Sequence, residues 1–159
     1  MRALLQRVTR ARVSVDGEPL GEIGRGLLVL VGVAGEDDEA VAAGLAAKVA
    51  ELRIFPDAQG RTNLSVLEVG GAALVVSQFT LYADARRGRR PSFMSAAGPD
   101  LGERLYDIFC KRLTDAGVPV ERGRFGADMA VELVNDGPFT VWLDSTELGI
   151  GARAAGRHG

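Results

Sequence analysis

Apolar residues in the first half of the chain follow the patterns of β-strands. They predict two short strands, Leu4–Val8 and Arg12–Val15, on either side of a charged kink, and then a turn at Asp16–Gly17. The continuous β-rich run Leu27–Val33 is typical of a strand that is buried on both faces. Ala72–Val76 predicts another buried strand.

Two segments repeat apolar residues at the spacing of an amphipathic helix. The first can be capped by Asp37 or Asp38 and runs to about Ile54. The second opens at Pro99, which suits the first turn of a helix, and runs to about Asp115. The positions predicted to face inward are Val41, Leu45, Val49 and Leu52 in the first helix and Leu101, Leu105, Ile108 and Phe109 in the second.

Three more strands are predicted after the second helix. They are Val118–Arg122, Met129–Val134 and Phe139–Leu143. The resulting order of strands and helices is not a repeating β–α–β chain, so it predicts an α+β domain. We expect a single domain with a curled mixed or antiparallel sheet and two helices packed against it.

Composition and length are those of one globular domain. The chain has 159 residues, of which 47% are apolar and 25% are charged. It has no apolar run of about 18 residues and no apolar secretory region near its start, so no membrane partner is expected. The single cysteine, Cys110, excludes an internal disulfide and fits a cytoplasmic protein.

Histidine is nearly absent, which restricts the chemistry. The only one, His158, lies in a Gly-, Ala- and Arg-rich tail, Gly151 to Gly159, that is predicted to be disordered. The sequence therefore disfavours a Ser-His-Asp triad, a Cys-His pair and a zinc site made of His and Cys. No metal and no organic cofactor is predicted.

Positive charge is carried almost entirely by arginine. The net charge is −2, so no global basic field points to nucleic acid. Only Lys48 and Lys111 among the 19 basic residues are lysines; arginine suits phosphate, but genome composition produces the same bias. Gly88 and Pro91 place a dense arginine cluster on a loop, which either binds phosphates or is a solvated surface loop. Its members are Arg86, Arg87, Arg89 and Arg90.

Polar residues follow directly on the buried strand that ends near Val76. Strand alternation places Gln78 and Thr80 on one face, roughly 6.6 Å apart, with Ser77 and Phe79 on the other. A buried strand normally stays apolar, because an unpaired polar group inside a protein costs about 1–3 kcal/mol. Polar side chains at the end of such a strand often line a site. An ordinary strand-to-loop transition gives the same pattern.

A second unusual segment, Asn135–Thr140, lies between two predicted strands. Asp-Gly is a strong turn signal, so a plain hairpin turn is one interpretation. The other depends on Gly137 and Pro138: glycine lets the backbone approach another group closely, and an X-Pro bond is sometimes cis. Such a turn can present carbonyl oxygens as a recognition surface.

Together these segments resemble the D-aminoacyl-tRNA deacylase family. Ser77–Leu81 is similar to the first signature of the family and Asn135–Thr140 to the second. Gly88–Phe93 and Phe125–Met129 are similar to blocks that lie between them. Order and spacing both agree with the family.

The resemblance implies one deacylase-like domain, residues 1–145, and a C-terminal segment, residues 146–159, that is flexible at its end. It implies a homodimer in which Gly137-Pro138 is cis and inserts into the partner's site. The implied substrate is aminoacylated tRNA, not DNA. D-aminoacyl and mischarged glycyl esters would be hydrolysed, and L-aminoacyl esters rejected.

The implied catalytic segment is Ser77 to Thr80, which needs no imidazole. Backbone N–H groups near Phe79 and Thr80 would form an oxyanion hole, while Gln78 and the Thr80 hydroxyl orient substrate or water. A Thr80 nucleophile is the alternative, although no base is an evident partner for it. The 2′-hydroxyl of the terminal adenosine could assist, as the family suggests.

Phe125 and Met129 are candidates to pack on that terminal adenine; ordinary core packing is the other interpretation.

Three other functions remain open. A non-catalytic RNA-binding module would use the arginine loop and bind RNA in a salt-sensitive way. An esterase with a Thr or Ser nucleophile would hydrolyse simple esters without RNA. A purely structural dimer would need neither motif.

Overall fold

The structure is a computed structural model that describes residues 1–151. The disorder predicted for the tail therefore falls, apart from Gly151, outside the described residues. The elements are β1 (Arg2–Val15), β2 (Glu18–Ile23), β3 (Gly26–Gly32), α1 (Glu39–Glu51), β4 (Phe55–Pro56), β5 (Thr62–Leu64), β6 (Ala72–Ser77), a single 3₁₀ turn (Phe79–Tyr82), α2 (Pro99–Asp115), β7 (Val120–Arg122) and β8 (Ala130–Asp144). No helix within residues 1–151 is long and apolar enough to cross a membrane.

The long strand β1 is the centre of the sheet. Its first half pairs with β3 and its second half with β2, both antiparallel, while β8 pairs along nearly its whole length. The prediction of two strands separated by a kink is therefore wrong. The charged residues around Arg10 are exposed, and the pairing with β8 changes register there instead of ending, so β1 has a bulge and not a break.

The strand β8 corrects a second prediction. Two strands with a turn between them were expected, but β8 is one strand of 15 residues. Both of its halves run antiparallel to β1: Ala130 pairs with Ser14 at one end, and Asp144 pairs with Arg2 at the other. The Asp-Gly and Gly-Pro turn signals do not reverse the chain, because the ladder with β1 resumes beyond them.

The sheet is mixed and curled, and two helices pack on it. Its order is β2-β1-β3-β6-β7, with β3, β6 and β7 mutually parallel. Contacts of β2 with β6 and β7 bring the two edges together, so the sheet is nearly closed. The α+β class, the single domain, the curled mixed sheet and the two packed helices are thus confirmed.

The helices begin where the sequence predicts. Asp38 caps α1, since its carboxylate accepts from the N–H of Val41 at 3.0 Å, and the helix ends at Glu51, before the predicted Ile54. The helix α2 spans the predicted range and packs on α1. One apolar core lies between the helices and the sheet, and a second fills the inside of the curl.

Candidate active site

The polar segment after β6 forms a turn and not a continued strand. β6 ends at Ser77, and the chain then makes the 3₁₀ turn Phe79–Tyr82. The expectation that Gln78 and Thr80 share a strand face is therefore wrong. Instead the turn brings the two side chains into contact, and the Gln78 amide donates to Thr80 Oγ1 at 2.5 Å.

A glycine in the neighbouring strand makes room for this turn. A Cβ at Gly32 would lie 3.1 Å from the carbonyl oxygen of Gln78 and 3.1 Å from the Cβ of Leu81. The close approach lets the chain bend across the end of β3. Hydrogen bonds from Leu81 N–H to the Gln78 carbonyl and from Ala83 N–H to the Thr80 carbonyl hold the turn.

Two backbone donors at the start of the turn have no partner among the described residues. Within residues 1–151, the N–H groups of Phe79 and Thr80 donate no hydrogen bond. This is usual for the first residues of a helical turn, whose N–H groups have no earlier carbonyl within reach. The Phe79 side chain beside them is 58% exposed and makes an edge contact with Phe93, with ring centroids 5.1 Å apart.

A largely apolar cleft of about 540 Å³ opens beside this turn. It lies between the ends of β3 and β6, the start of α2 and the segment before β8. Ser77, Gln78, Phe79, Phe125 and Met129 all line it. The predicted residues that do not line it are Thr80, Gly137, Pro138 and the four arginines of the loop.

One wall of the cleft depends on a glycine in α2. A Cβ at Gly102 would lie 3.2 Å from Cζ of Phe125, so the absent side chain allows the ring to lie against the helix. Phe125 also packs near the buried ring of Tyr106, with centroids 6.2 Å apart. Tyr106 is fixed by its hydroxyl, which donates to the carbonyl oxygen of Val75 at 2.6 Å.

The second motif is extruded from β8 as a bulge. Asn135 pairs with Val8 and Thr140 pairs with Gln6, so the four residues 136–139 face only one residue of β1. The Gly137-Pro138 bond is cis, and both residues are exposed. The Asn135 side chain ties the ends of the bulge, because its Oδ1 accepts from the N–H of Phe139 at 2.9 Å and its Nδ2 donates to Thr140 Oγ1 at 3.0 Å.

The residue of β1 opposite this bulge is Arg7, which the sequence analysis missed. Its guanidinium donates to the carbonyl oxygens of Asp136 at 3.1 Å and Ile54 at 2.8 Å, and lies 4.7 Å from the ring centroid of Phe139. The side chain is only 11% exposed. Arg7 lies inside the predicted strand Leu4–Val8, so a charged residue within that apolar pattern was the available signal.

The arginine loop is an exposed hairpin. Reciprocal hydrogen bonds between the backbones of Asp84 and Ser92 close it, and Gly88 takes a left-handed conformation at φ +68°. Arg86 is paired with Asp84 at 2.8 Å, and its hydrogen bonds lower the pKa of that carboxyl to about 2. The other three arginines are exposed.

A family model described as D-Tyr-tRNA(Tyr) deacylase matches residues 4–144. The chain belongs to this family. A relative from Ruegeria pomeroyi named D-aminoacyl-tRNA deacylase is 62% identical over 144 residues, which are 91% of this chain and 99% of the relative. One of the same name from Thermomicrobium roseum is 62% identical over 148 residues, 93% of this chain and 96% of the relative. Membership of the deacylase family, suggested by the two motifs, is confirmed.

Solved structures agree with the deacylase fold. The c-Myc DNA unwinding element binding protein has a TM-score of 0.86 and 39% identity, over 91% of this chain and 98% of that one. A structure described as a probable eukaryotic D-amino acid tRNA deacylase has a TM-score of 0.79 and 20% identity, over 89% and 97%. At that identity, the second likeness shows the fold alone.

Proposed function

We propose that this protein hydrolyses the ester bond of D-aminoacyl-tRNA to free D-amino acid and tRNA. It acts in the same way on glycyl-tRNA mischarged on a non-cognate tRNA, and it spares L-aminoacyl-tRNA. One observation carries the reaction: relatives named D-aminoacyl-tRNA deacylase are 62% identical over 91% and 93% of this chain. The cleft of about 540 Å³ is also within the usual size of a ligand site.

The free N–H groups of Phe79 and Thr80 supply the oxyanion hole. Water adds to the ester carbon, and the two N–H groups stabilise the negative charge on the former carbonyl oxygen. The bond from carbon to the ribose oxygen then breaks, and that oxygen takes a proton. An activated ester needs little more, because one such donor is typically worth about 10²–10³ in rate.

The Thr80 hydroxyl orients substrate or water and is not the nucleophile. A nucleophilic hydroxyl needs a neighbouring base that accepts its proton. The side-chain partner of Thr80 Oγ1 is the Gln78 amide N–H, which is a donor and cannot accept that proton. The 2′-hydroxyl of the terminal ribose is next to the ester and assists the proton transfer.

A second copy of the chain completes the site. Gly137 and Pro138 are exposed on their bulge and do not line the cleft of their own chain. In the proposed homodimer this bulge enters the partner's cleft, where its carbonyl oxygens exclude the side chain of an L-aminoacyl group. The ties from Asn135 and Arg7 make the bulge rigid enough to act as a steric filter.

Two further surfaces bind the tRNA. Phe125 and Met129 form the wall on which the terminal adenine packs. The arginine loop contacts phosphates, chiefly through Arg87, Arg89 and Arg90, since Arg86 is already paired with Asp84.

The test uses one tRNA charged separately with a D-amino acid, its L-enantiomer and glycine, with ester loss followed with and without the protein. Fast loss of the D and glycyl esters with the L ester spared supports the proposal. Loss at the uncatalysed rate for all three, with salt-sensitive RNA binding retained, favours the RNA-binding module instead. Because one related structure is named a DNA-binding protein, DNA of the same sequence serves as the binding comparison.

Two variants separate the roles. Thr80→Ala should lower the rate only modestly, whereas complete inactivity together with an acyl-Thr80 adduct in the wild type would establish a nucleophile. Gly137→Ala places a Cβ 3.1 Å from Arg7 Nη2 at a φ of +136°, so the bulge must shift. We expect this variant to hydrolyse the L ester measurably. Turnover of simple activated esters without RNA would favour a small-molecule esterase.

A further inference from the structure

One side chain of β1 holds the turn that carries the two free N–H groups. Arg2 Nη1 donates to the carbonyl oxygen of Leu81 at 2.8 Å. The same guanidinium lies 4.4 Å from the ring centroid of Tyr82. Both contacts are made with the C-terminal half of the Phe79–Tyr82 turn, so they restrain it from the side of the sheet.

Arg2 is itself fixed by the last residues of β8. Its Nε donates to Asp144 Oδ2 at 2.9 Å, and its guanidinium lies 5.3 Å from the ring centroid of Trp142. Asp144 is 8% exposed, and its second oxygen accepts from the N–H of Thr146 at 2.9 Å. A guanidinium held between an acid and two aromatic rings has little freedom, so the turn is tied to the sheet.

We propose that Arg2 is a positioning residue for ester hydrolysis, which fixes the turn that carries the Phe79 and Thr80 N–H groups beside the cleft. This role rests on the proposed function. Arg2 touches neither substrate nor reacting atoms, and it acts through the Leu81 carbonyl and the Tyr82 ring. An oxyanion hole works only when its donors are already in place, and a displacement of about 1 Å can cost about 10²-fold in rate.

The chemistry of the contact requires an arginine. The guanidinium reaches Leu81 O through Nη1 and Asp144 through Nε at the same time, and its flat face stacks on Tyr82. A lysine ammonium is a single point charge on a flexible stem and cannot make the same set of contacts. We therefore expect Arg2→Lys to rescue little of what Arg2→Ala loses.

The chain offers a matched control on the same ladder. Arg12 of β1 lies directly opposite Glu132 of β8, as Arg2 lies opposite Asp144, and the Arg12–Glu132 ion pair measures 2.7 Å. Within residues 1–151, the side-chain hydrogen bonds of Arg12 go only to Glu132. Arg12→Ala thus removes an arginine and an ion pair from β1 and β8 without touching the turn.

The first measurement is amide hydrogen exchange in the full-length protein. The N–H groups of Leu81 and Ala83 report on the turn, because they form its internal hydrogen bonds. In Arg2→Ala we expect their exchange to be at least about tenfold faster than in the wild type, and unchanged in Arg12→Ala. Equal protection of these two amides in all three proteins would overturn the proposal.

The second measurement is deacylation of D-aminoacyl-tRNA by the same proteins. For Arg2→Ala we expect kcat to fall by about 10- to 100-fold with KM within about twofold of the wild type, because the two N–H groups bind a charge that develops only in the transition state. Arg12→Ala should keep the wild-type kcat. A kcat for Arg2→Ala within twofold of Arg12→Ala, or a loss matched by an equal loss of folded protein, refutes the positioning role.

The two experiments separate this inference from the proposed function. A wild-type protein that leaves the D ester intact refutes the proposed reaction, and the exchange data then decide alone whether Arg2 holds the turn. An active wild type with an unaffected Arg2→Ala variant leaves the reaction intact and removes Arg2 from it. Should Arg2→Ala fail to fold, the exchange and kcat of Arg2→Lys replace it, with losses in the same direction expected.

Discussion

Replacing Arg7 by alanine should destabilise the protein far more than removing another arginine from the same strand. The guanidinium donates to two backbone carbonyls, those of Asp136 and Ile54, and stacks on Phe139. A hydrogen bond from a charged donor is worth about 1.5–3 kcal/mol, and a cation–π contact about 0.5–2 kcal/mol. Because these contacts share one side chain and are not additive, we expect the free energy of unfolding to fall by about 3–5 kcal/mol.

Urea denaturation measures this difference directly. With an m-value of about 2 kcal/mol/M, the loss lowers the midpoint by about 2 M. The control is Arg12→Ala, whose ion pair is exposed at 45% and 57%, so its loss should cost less than about 1 kcal/mol. If the two variants unfold at the same urea concentration, the claim that Arg7 anchors the bulge is wrong.

The Arg7→Lys variant tests whether Arg7 also affects the stereospecificity of the enzyme. Arg7→Lys retains the charge, but its single ammonium cannot span both carbonyls, so we expect an intermediate midpoint. In the proposed dimer a looser bulge is a weaker steric filter, so the ratio of D-ester to L-ester hydrolysis should fall. A lower midpoint with an unchanged ratio would mean that Arg7 stabilises the fold without setting stereospecificity.

Three other changes have defined outcomes. Gly102→Ala should leave thermal stability nearly unchanged, since a gain in helix propensity of about 1 kcal/mol opposes the contact with Phe125. Because Phe125 belongs to the proposed wall for the terminal adenine, the variant should raise KM for D-aminoacyl-tRNA in steady-state assays, whichever amino acid is attached. The pKa of Asp84 is lowered to about 2, so the contribution of this carboxylate to stability is present above pH 4 and lost as the pH falls through 2. Replacing its partner, Arg86→Ala, should return the NMR titration midpoint of Asp84 toward 3.8. Burial raises the pKa of Cys110 to about 11, so iodoacetamide at about pH 8 should label it only after unfolding, as mass spectrometry would show.

Local sequence patterns predicted the elements whose structure depends mainly on residues adjacent in the chain. The cap at Asp38 and the proline that opens α2 at Pro99 act within one helical turn, and both helices begin where they predict. The buried run Leu27–Val33 likewise needs only its own composition to be a central strand. The two motifs were found because each is a short contiguous segment.

The conformation of the polar segment at the end of β6 was predicted wrongly, because it depends on a residue that is distant in the sequence. Alternation predicts a strand through Gln78 and Thr80, and nothing in the segment itself contradicts that. The bend is possible because Gly32, in a neighbouring strand, leaves space for the Gln78 carbonyl and Leu81. A pattern within six residues cannot report a contact made across the sheet.

The strand β8 was predicted as two strands separated by a turn for a related reason. Turn signals give the local bend but not the direction in which the chain continues, and the ladder with β1 decides that direction. Both arginines belong to β1. Arg7 holds the bulge of β8 through the Asp136 carbonyl, and Arg2 holds the Phe79–Tyr82 turn through the Leu81 carbonyl. In the sequence these arginines only interrupt an apolar pattern. In the fold one strand connects two motifs that lie more than 50 residues apart along the chain.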